Sequence, residues 1–107
     1  MMRDTSAESK ESLQLRSRVE RQLVNLDTAL TRARAEATAG GGLVRVSVDG
    51  LHRVRDLVIA PEAFEQRDAA LLADLVMSAI AEAQRRVEIV ATEATDGVIA
   101  AADDAAP

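Results

Sequence analysis

The sequence predicts an α+β fold in which two long helices flank a small antiparallel sheet. Three observations support this prediction. Apolar residues recur at helical spacing in the first third of the chain, alternating β-branched residues follow a run of three glycines, and a second helical stripe begins near residue 72. The length of 107 residues fits a single domain.

The first helix is predicted over residues 6 to about 38. Its apolar positions are three or four residues apart, a spacing typical of a face that packs on another helix; they are Val19, Leu23, Leu26, Leu30, Ala33 and Ala37. A 30-residue helix is about 45 Å long, which is more than so small a domain covers. We therefore expect part of it to project or to pair with another chain. The candidate dimer interface is Val19, Leu23, Leu26 and Leu30.

The predicted strands follow Gly40-Gly41-Gly42, because three glycines do not sustain a helix. Residues 43–48 alternate with period two, and Asp49-Gly50 predicts a two-residue hairpin turn. The return strand is predicted over residues 52–59, with a bulge near Arg55-Asp56 because its apolar residues change phase there. Residues 36–39 are an alternative third short strand.

The second helix is predicted to begin after Asp68, a plausible N-cap, and to carry an apolar stripe from Leu72 to Val90. Thr95-Asp96-Gly97 is the predicted stop. Residues 98–107 consist mainly of alanine and aspartate, and we expect them to form a disordered acidic tail. The predicted folded domain is therefore residues 1–97.

Composition favours an oligomer, because Phe64 is the only aromatic residue and aromatic side chains normally supply the largest core burials. The absence of cysteine excludes disulfides, a thiol nucleophile and cysteine-based zinc sites. No apolar run approaches the roughly 20 residues that span a bilayer, so no membrane partner is expected. The net charge is −5, but residues 1–60 hold ten basic and eight acidic residues, against three and ten in residues 61–107.

Several segments together resemble the YbaB/EbfC family of bacterial nucleoid-associated proteins. They are Gly41 to Val46, Asp49-Gly50, Val54 to Pro61, Leu71 to Val76 and Ala83 to Glu88, and the resemblance covers about residues 15–92. It implies an αβββα subunit, a tweezer-like homodimer, binding of duplex DNA, and a location in the bacterial cytoplasm and nucleoid.

Basic residues on the two helices are the candidate DNA contacts, because phosphate attraction requires a positive face. They are Lys10, Arg16, Arg18, Arg21, Arg32, Arg85 and Arg86. The alternative for the first five is a solvated helix face. For Arg85 and Arg86 it is a set of surface ion pairs with Glu82 and Glu88. Arg45, Arg53 and Arg55 are expected mainly to keep the open sheet face soluble.

No pattern predicts catalysis. The glycine triplet lacks the Gly-Lys-Ser/Thr of a phosphate-binding loop, and His52 is the only histidine. We expect no enzyme activity, metal site, cofactor or small-molecule substrate. The predicted function is binding of duplex DNA as a homodimer with little sequence specificity. The alternative is a protein-interaction adaptor or secretion-associated chaperone on the same fold, which the net charge of −5 favours.

Overall fold

The computed structural model describes the backbone of residues 6–105 and the side-chain environments of residues 9–103. The elements are α1 (Ser6–Arg32), β1 (Arg34–Ala39), β2 (Val44–Asp49), β3 (Val54–Ile59), a 3-10 helix (Pro61–Gln66) and α2 (Ala69–Ala105). The strands form one antiparallel sheet in the order β1-β2-β3. The predicted α+β class and αβββα order are confirmed.

The core lies between α2 and the first two strands of the sheet. Val44, Val46 and Val48 project from the central strand and are completely buried. The fully buried residues that cover them from α2 are small (Ala79, Ala83 and Val87), and larger, partly buried residues of the helix surround this contact. Alanine also fills the matching positions of β1, so the helix can approach the sheet closely. This packing explains how a chain with one aromatic residue forms a core.

The first helix ends earlier than predicted. It stops at Arg32, and residues 34–39 form β1 instead of the last turns of a helix to residue 38. The backbone of β1 pairs with β2, where Ala37 lies opposite Val46 and is buried. Strand pairing and burial outweigh the helix propensity of alanine. The alternative third strand at residues 36–39 is therefore confirmed and begins two residues earlier.

The β2–β3 turn is longer than the predicted two-residue hairpin, since residues 50–53 separate the strands. The residue with positive φ in this turn is His52 (φ 65°), not Gly50. Gly50 is required for a different reason: its N–H donates to the Leu30 carbonyl at 2.8 Å, and a Cβ there would lie 2.7 Å from that oxygen. The predicted bulge is confirmed, because the register skips Arg55 between Asp56 and Val54.

Asp49 organises this turn from a completely buried position. Its Oδ1 accepts the backbone N–H groups of Leu51 (2.9 Å) and Arg53 (3.1 Å), while Oδ2 accepts Nε of Arg53 at 3.0 Å. Arg55 lies 3.8 Å from the same oxygen. Burial alone raises the pKa of Asp49, but the hydrogen bonds from Arg53 and Leu51 outweigh it and lower the pKa below its ordinary value.

The second helix begins as predicted, with the N–H of Leu71 donating to Asp68 Oδ1 at 3.0 Å. The predicted stop at residues 95–97 is wrong, because α2 continues through Gly97 to Ala105. Residues 98–105 are thus helical and not a disordered tail; residues 106 and 107 lie outside the described part. Alanine favours the helix, and Val98 and Ala102 line a groove against α1. The domain boundary expected at residue 97 falls inside this helix.

Beyond the sheet, α1 and the C-terminal half of α2 lie side by side and antiparallel, and Val19, Leu26, Thr95 and Ala102 line a groove between them. We call this pair of helix ends, residues 9–26 and 91–103, the arm. It makes the molecule elongated, at 79 × 31 × 16 Å. Within residues 6–105, neither helix is apolar enough over a sufficient length to cross a membrane.

The variant Asp49→Asn tests the turn. At pH 7 we expect a loss of about 1–3 kcal/mol in the free energy of unfolding, because the charged hydrogen bonds of a buried carboxylate are weakened. Because the pKa of Asp49 is lowered in the folded state, its carboxylate contributes fully to the free energy of unfolding above the unfolded-state pKa of about 3.9. This contribution is lost as pH falls through the lower folded-state pKa. Denaturant unfolding of both proteins across this range measures the difference. A difference that does not shrink with acidification contradicts the assignment.

Candidate nucleic-acid interface

Four of the candidate basic residues lie on one side of α1. At about 100° per residue, Lys10, Arg18, Arg21 and Arg32 fall within roughly 80° of one another around the helix axis, and all four are exposed. We call these four residues the basic face. The uncharged polar residues Gln14, Asn25 and Thr28 lie among them. Lys10, Arg18 and Arg21 are on the arm, whereas Arg32 is at the sheet end of α1.

Arg16 lies on a different side of α1 from the basic face. Arg16 precedes Arg18 by two positions, which separates the two side chains by about 200° around the helix axis. Arg16 instead shares its side of the helix with Glu20, four residues later, a spacing at which opposite charges attract. A duplex that contacts the basic face therefore does not contact Arg16 from the same side.

Arg85 and Arg86 are held in ion pairs on α2. Arg85 contacts Glu82 at 2.6 Å, and Nε of Arg86 donates to the same carboxylate at 3.1 Å. The hydrogen bond from Arg85 is the main reason that the pKa of Glu82 lies below its ordinary value. Arg86 also donates to the Glu36 carbonyl at 3.0 Å, which ties α2 to β1. The geometry agrees with the ion-pair interpretation for Glu82, whereas Glu88 lies beside His52 instead. A DNA contact by Arg85 and Arg86 stays a prediction.

The arginines near the sheet are also engaged with the protein. Arg53 and Arg55 lie beside Asp49, and Arg34 donates to the carbonyls of Thr31 and Ala33. On the other side of the turn, His52 Nε2 lies 3.2 Å from Glu88 Oε1, while Gln84 donates to the His52 carbonyl at 3.2 Å. These contacts fix the turn between α1 and α2. Among residues 9–103, by contrast, no salt bridge involves a cation of α1.

The residues predicted as a dimer interface divide into two pairs. Leu26 and Leu30 are half-buried, near the sheet end of α1 where it packs on α2. Val19 and Leu23 remain 46 % and 60 % exposed on the arm. With Leu26, Val98 and Ile99, they line an open apolar groove of about 320 Å³ between the helices. Leu26 and Leu30, two of the four residues predicted as a dimer interface, therefore pack within the chain.

A second apolar surface lies on β3, which sequence reasoning did not single out. α2 packs on β1 and β2, so Val54 and Leu57, which share the α2 side of the sheet, remain 44 % and 42 % exposed. Met77 is 69 % exposed and lies two turns before Gln84, on the side of α2 that faces the β2–β3 turn. The phase change in β3 was a visible signal, but the sequence did not indicate which strand α2 leaves uncovered.

The comparisons with known proteins agree with this architecture. The family model described as the YbaB/EbfC DNA-binding family matches residues 7–102. A nucleoid-associated protein of Cutibacterium acnes is 48 % identical over 65 residues, which is 61 % of each chain. A nucleoid-associated protein of Streptomyces avermitilis is 38 % identical over 71 % of this chain and 67 % of its own. The match thus spans less than two thirds of the first relative.

One of the matching solved structures is the crystal structure of an uncharacterized protein from Helicobacter pylori. It superimposes with a TM-score of 0.54 at 27 % identity, over 69 % of this chain and 86 % of that chain. The order of helices and strands, the extended family match and this structural likeness lead to one assignment. The chain belongs to the YbaB/EbfC DNA-binding family.

Proposed function

We propose that this protein binds duplex DNA through the basic face of α1, as a homodimer with little sequence preference, in the bacterial nucleoid. The observation that carries the proposal is the cluster of exposed cations Lys10, Arg18 and Arg21 on one side of a projecting helix. Family membership and the nucleoid-associated names of the relatives support the same function.

The charges of the arm support an approach of DNA from the α1 side. The α2 half of the arm carries the exposed acidic residues Glu93, Asp96 and Asp103, which repel phosphate, whereas the α1 half carries four basic residues against Glu11 and Glu20. Arginine and lysine on the α1 half attract the phosphates and release their counterions. Because phosphates are the same in every sequence, such contacts position the protein without reading bases. This arrangement supports binding with little sequence preference.

A homodimer is supported by the uncovered half of the sheet. Val54 and Leu57 lie on an edge strand whose outer backbone groups have no strand partner within the described chain. Val58, on the other side of β3, is 51 % exposed. A second copy that covers β3 buries these side chains and removes an exposed strand edge. We propose this surface as the dimer interface, leaving the arms of both copies free for DNA.

The adaptor alternative is supported by the groove of the arm. Its walls carry Val19, Leu23, Val98 and Ile99, and a groove of this kind accepts the apolar side of a helix from another protein. The two functions differ in their dependence on the basic face. DNA binding requires those cations, whereas a helix bound in the groove requires the apolar residues.

Salt dependence tests the DNA proposal. If both copies contribute Lys10, Arg18 and Arg21, log affinity should fall with log salt with a slope of up to about −5, at about −0.9 per neutralised phosphate. Fluorescence anisotropy with short duplexes of different base composition measures the slope, which should be similar for all of them. Absence of binding at low salt contradicts the proposal, and strong preference for one duplex contradicts the low specificity.

Two single variants of α1 provide a matched test of the basic face. Arg18→Gln removes a cation from the face, and Arg16→Gln removes the same charge two residues away from another side of the helix. We expect Arg18→Gln to weaken every duplex and to reduce the slope by up to about 2 in a dimer. Arg16→Gln should have a clearly smaller effect. Equal effects of the two variants would show that only total charge matters.

The dimer is tested by sedimentation equilibrium at micromolar concentration, where we expect the wild type at twice the chain mass. Leu57→Asp places a charge on the uncovered face of β3 and should produce monomers. Leu23→Asp makes the same change at an exposed leucine of the arm and should leave the dimer intact. Dissociation by Leu23→Asp alone would instead place the interface at the α1 residues predicted from the sequence. A monomeric wild type contradicts the homodimer.

A further inference from the structure

The end of α2 brings an acidic side chain to the helix that carries the basic face. Because α2 continues to Ala105, Asp103 is a residue of this helix and not of a free tail. Asp103, Arg18 and Arg21 line a second groove between the two helices, next to the apolar one described above, with a volume of about 720 Å³. A carboxylate and two of the proposed phosphate contacts therefore border one open space.

The C-terminal end of α2 is negatively charged and has no basic residue of its own to balance that charge. The last turn of α2 contains no basic residue. The C-terminus of a helix carries partial negative charge, so acidic side chains there are unfavourable for the helix itself. The cations that can offset this negative charge across the groove are Arg18 and Arg21 of α1.

The attraction acts across the groove and not through a closed ion pair. None of the salt bridges between residues with described side chains joins Asp103 to Arg18 or Arg21. All three residues are exposed. Exposed charges of this kind interact weakly and exchange partners readily. The arginines thus remain accessible to a stronger anion such as a phosphate of DNA.

We propose that Asp103 competes with DNA phosphates for Arg18 and Arg21, so that the acidic end of α2 limits the affinity of the basic face. This inference rests on the proposed DNA-binding function and adds a residue on the opposite helix that sets its strength. DNA binds the arginines when its phosphates displace the carboxylate. The competition is electrostatic, so it is strongest at low salt and fades as salt screens the groove.

The variant Asp103→Asn tests the competition directly, because it removes the charge and keeps the size of the side chain. At about 50 mM salt, we expect the affinity for a short fluorescent duplex to rise about twofold to fivefold for each bound arm. This is the fold-change that corresponds to the interaction energy of one exposed charge pair. At about 200 mM salt the gain should be smaller. The matched control is Asp74→Asn, which makes the same change of net charge in α2, far from the arm.

A second pair of variants separates local competition from a general charge effect. In a protein that carries Arg18→Gln and Arg21→Gln, Asp103→Asn should no longer increase affinity, because the arginines for which it competes are absent. Thermal unfolding of each variant checks that the arm remains folded. The proposal is supported when Asp103→Asn exceeds Asp74→Asn and when its gain disappears without the two arginines.

Four other outcomes contradict it. Equal gains in DNA affinity from Asp103→Asn and Asp74→Asn would show that the change in net charge alone raises the affinity. A gain that persists without Arg18 and Arg21 would show that Asp103 does not act through these arginines. Binding by the wild type with no gain from Asp103→Asn overturns this proposal and leaves the proposed function intact. Absence of binding by both proteins at low salt contradicts the proposed function as well.

Discussion

The difference in length between the helices and the strands determines how this protein is built. Six-residue strands extend about 20 Å, whereas the 37 residues of α2 form a helix of about 55 Å. Valines of β2 and alanines of α2 pack closely over the part of the helix that the sheet can cover. The remaining turns have no sheet beneath them, so they pair with α1 and form the arm. Among the candidate DNA-binding residues, Lys10, Arg18 and Arg21 lie on the arm, beyond the part of the helices that the core covers.

The two helices of the arm carry opposite net charges, because residues 9–26 hold four basic and two acidic residues, whereas residues 91–103 hold three acidic residues and no basic one. Total charge is therefore a poor guide to the proposed function. The chain carries a net charge of −5, which by itself argues against binding of a polyanion. In the structure, the exposed cations Lys10, Arg18 and Arg21 lie on one side of α1, whereas the charged residues of the α2 half of the arm are acidic. A duplex in contact with one side of α1 meets a local positive surface. In the proposed complex, the acidic helix adjusts the affinity for DNA instead of preventing the interaction.

Local signals in the sequence predicted much of the fold. The N-cap at Asp68 and the bulge at Arg55 were predictable because a hydrogen-bonding side chain and a phase change are short-range features. The end of α1 was not, since the alanines of β1 favour a helix until they pair with β2 and become buried. The extent of α2 depended on packing against α1 at Val98 and Ala102. Among the site residues, Arg16 lies on a different side of α1 from the basic face because of the rotation of the helix. The exposure of β3 could not be predicted, because it depends on where α2 packs on the sheet.

The central claim is that the side of α1 bearing Arg18 and Arg21 touches DNA. Site-specific photocrosslinking measures this contact most directly, and the absence of cysteine lets a single introduced cysteine carry the crosslinker. A photoreactive group attached at Asn25→Cys lies among the residues of the basic face, whereas one at Glu20→Cys lies on the Arg16 side. The account predicts efficient crosslinking to duplex DNA from position 25 and little from position 20. Equal crosslinking from both positions, or crosslinking from position 20 alone, would contradict it.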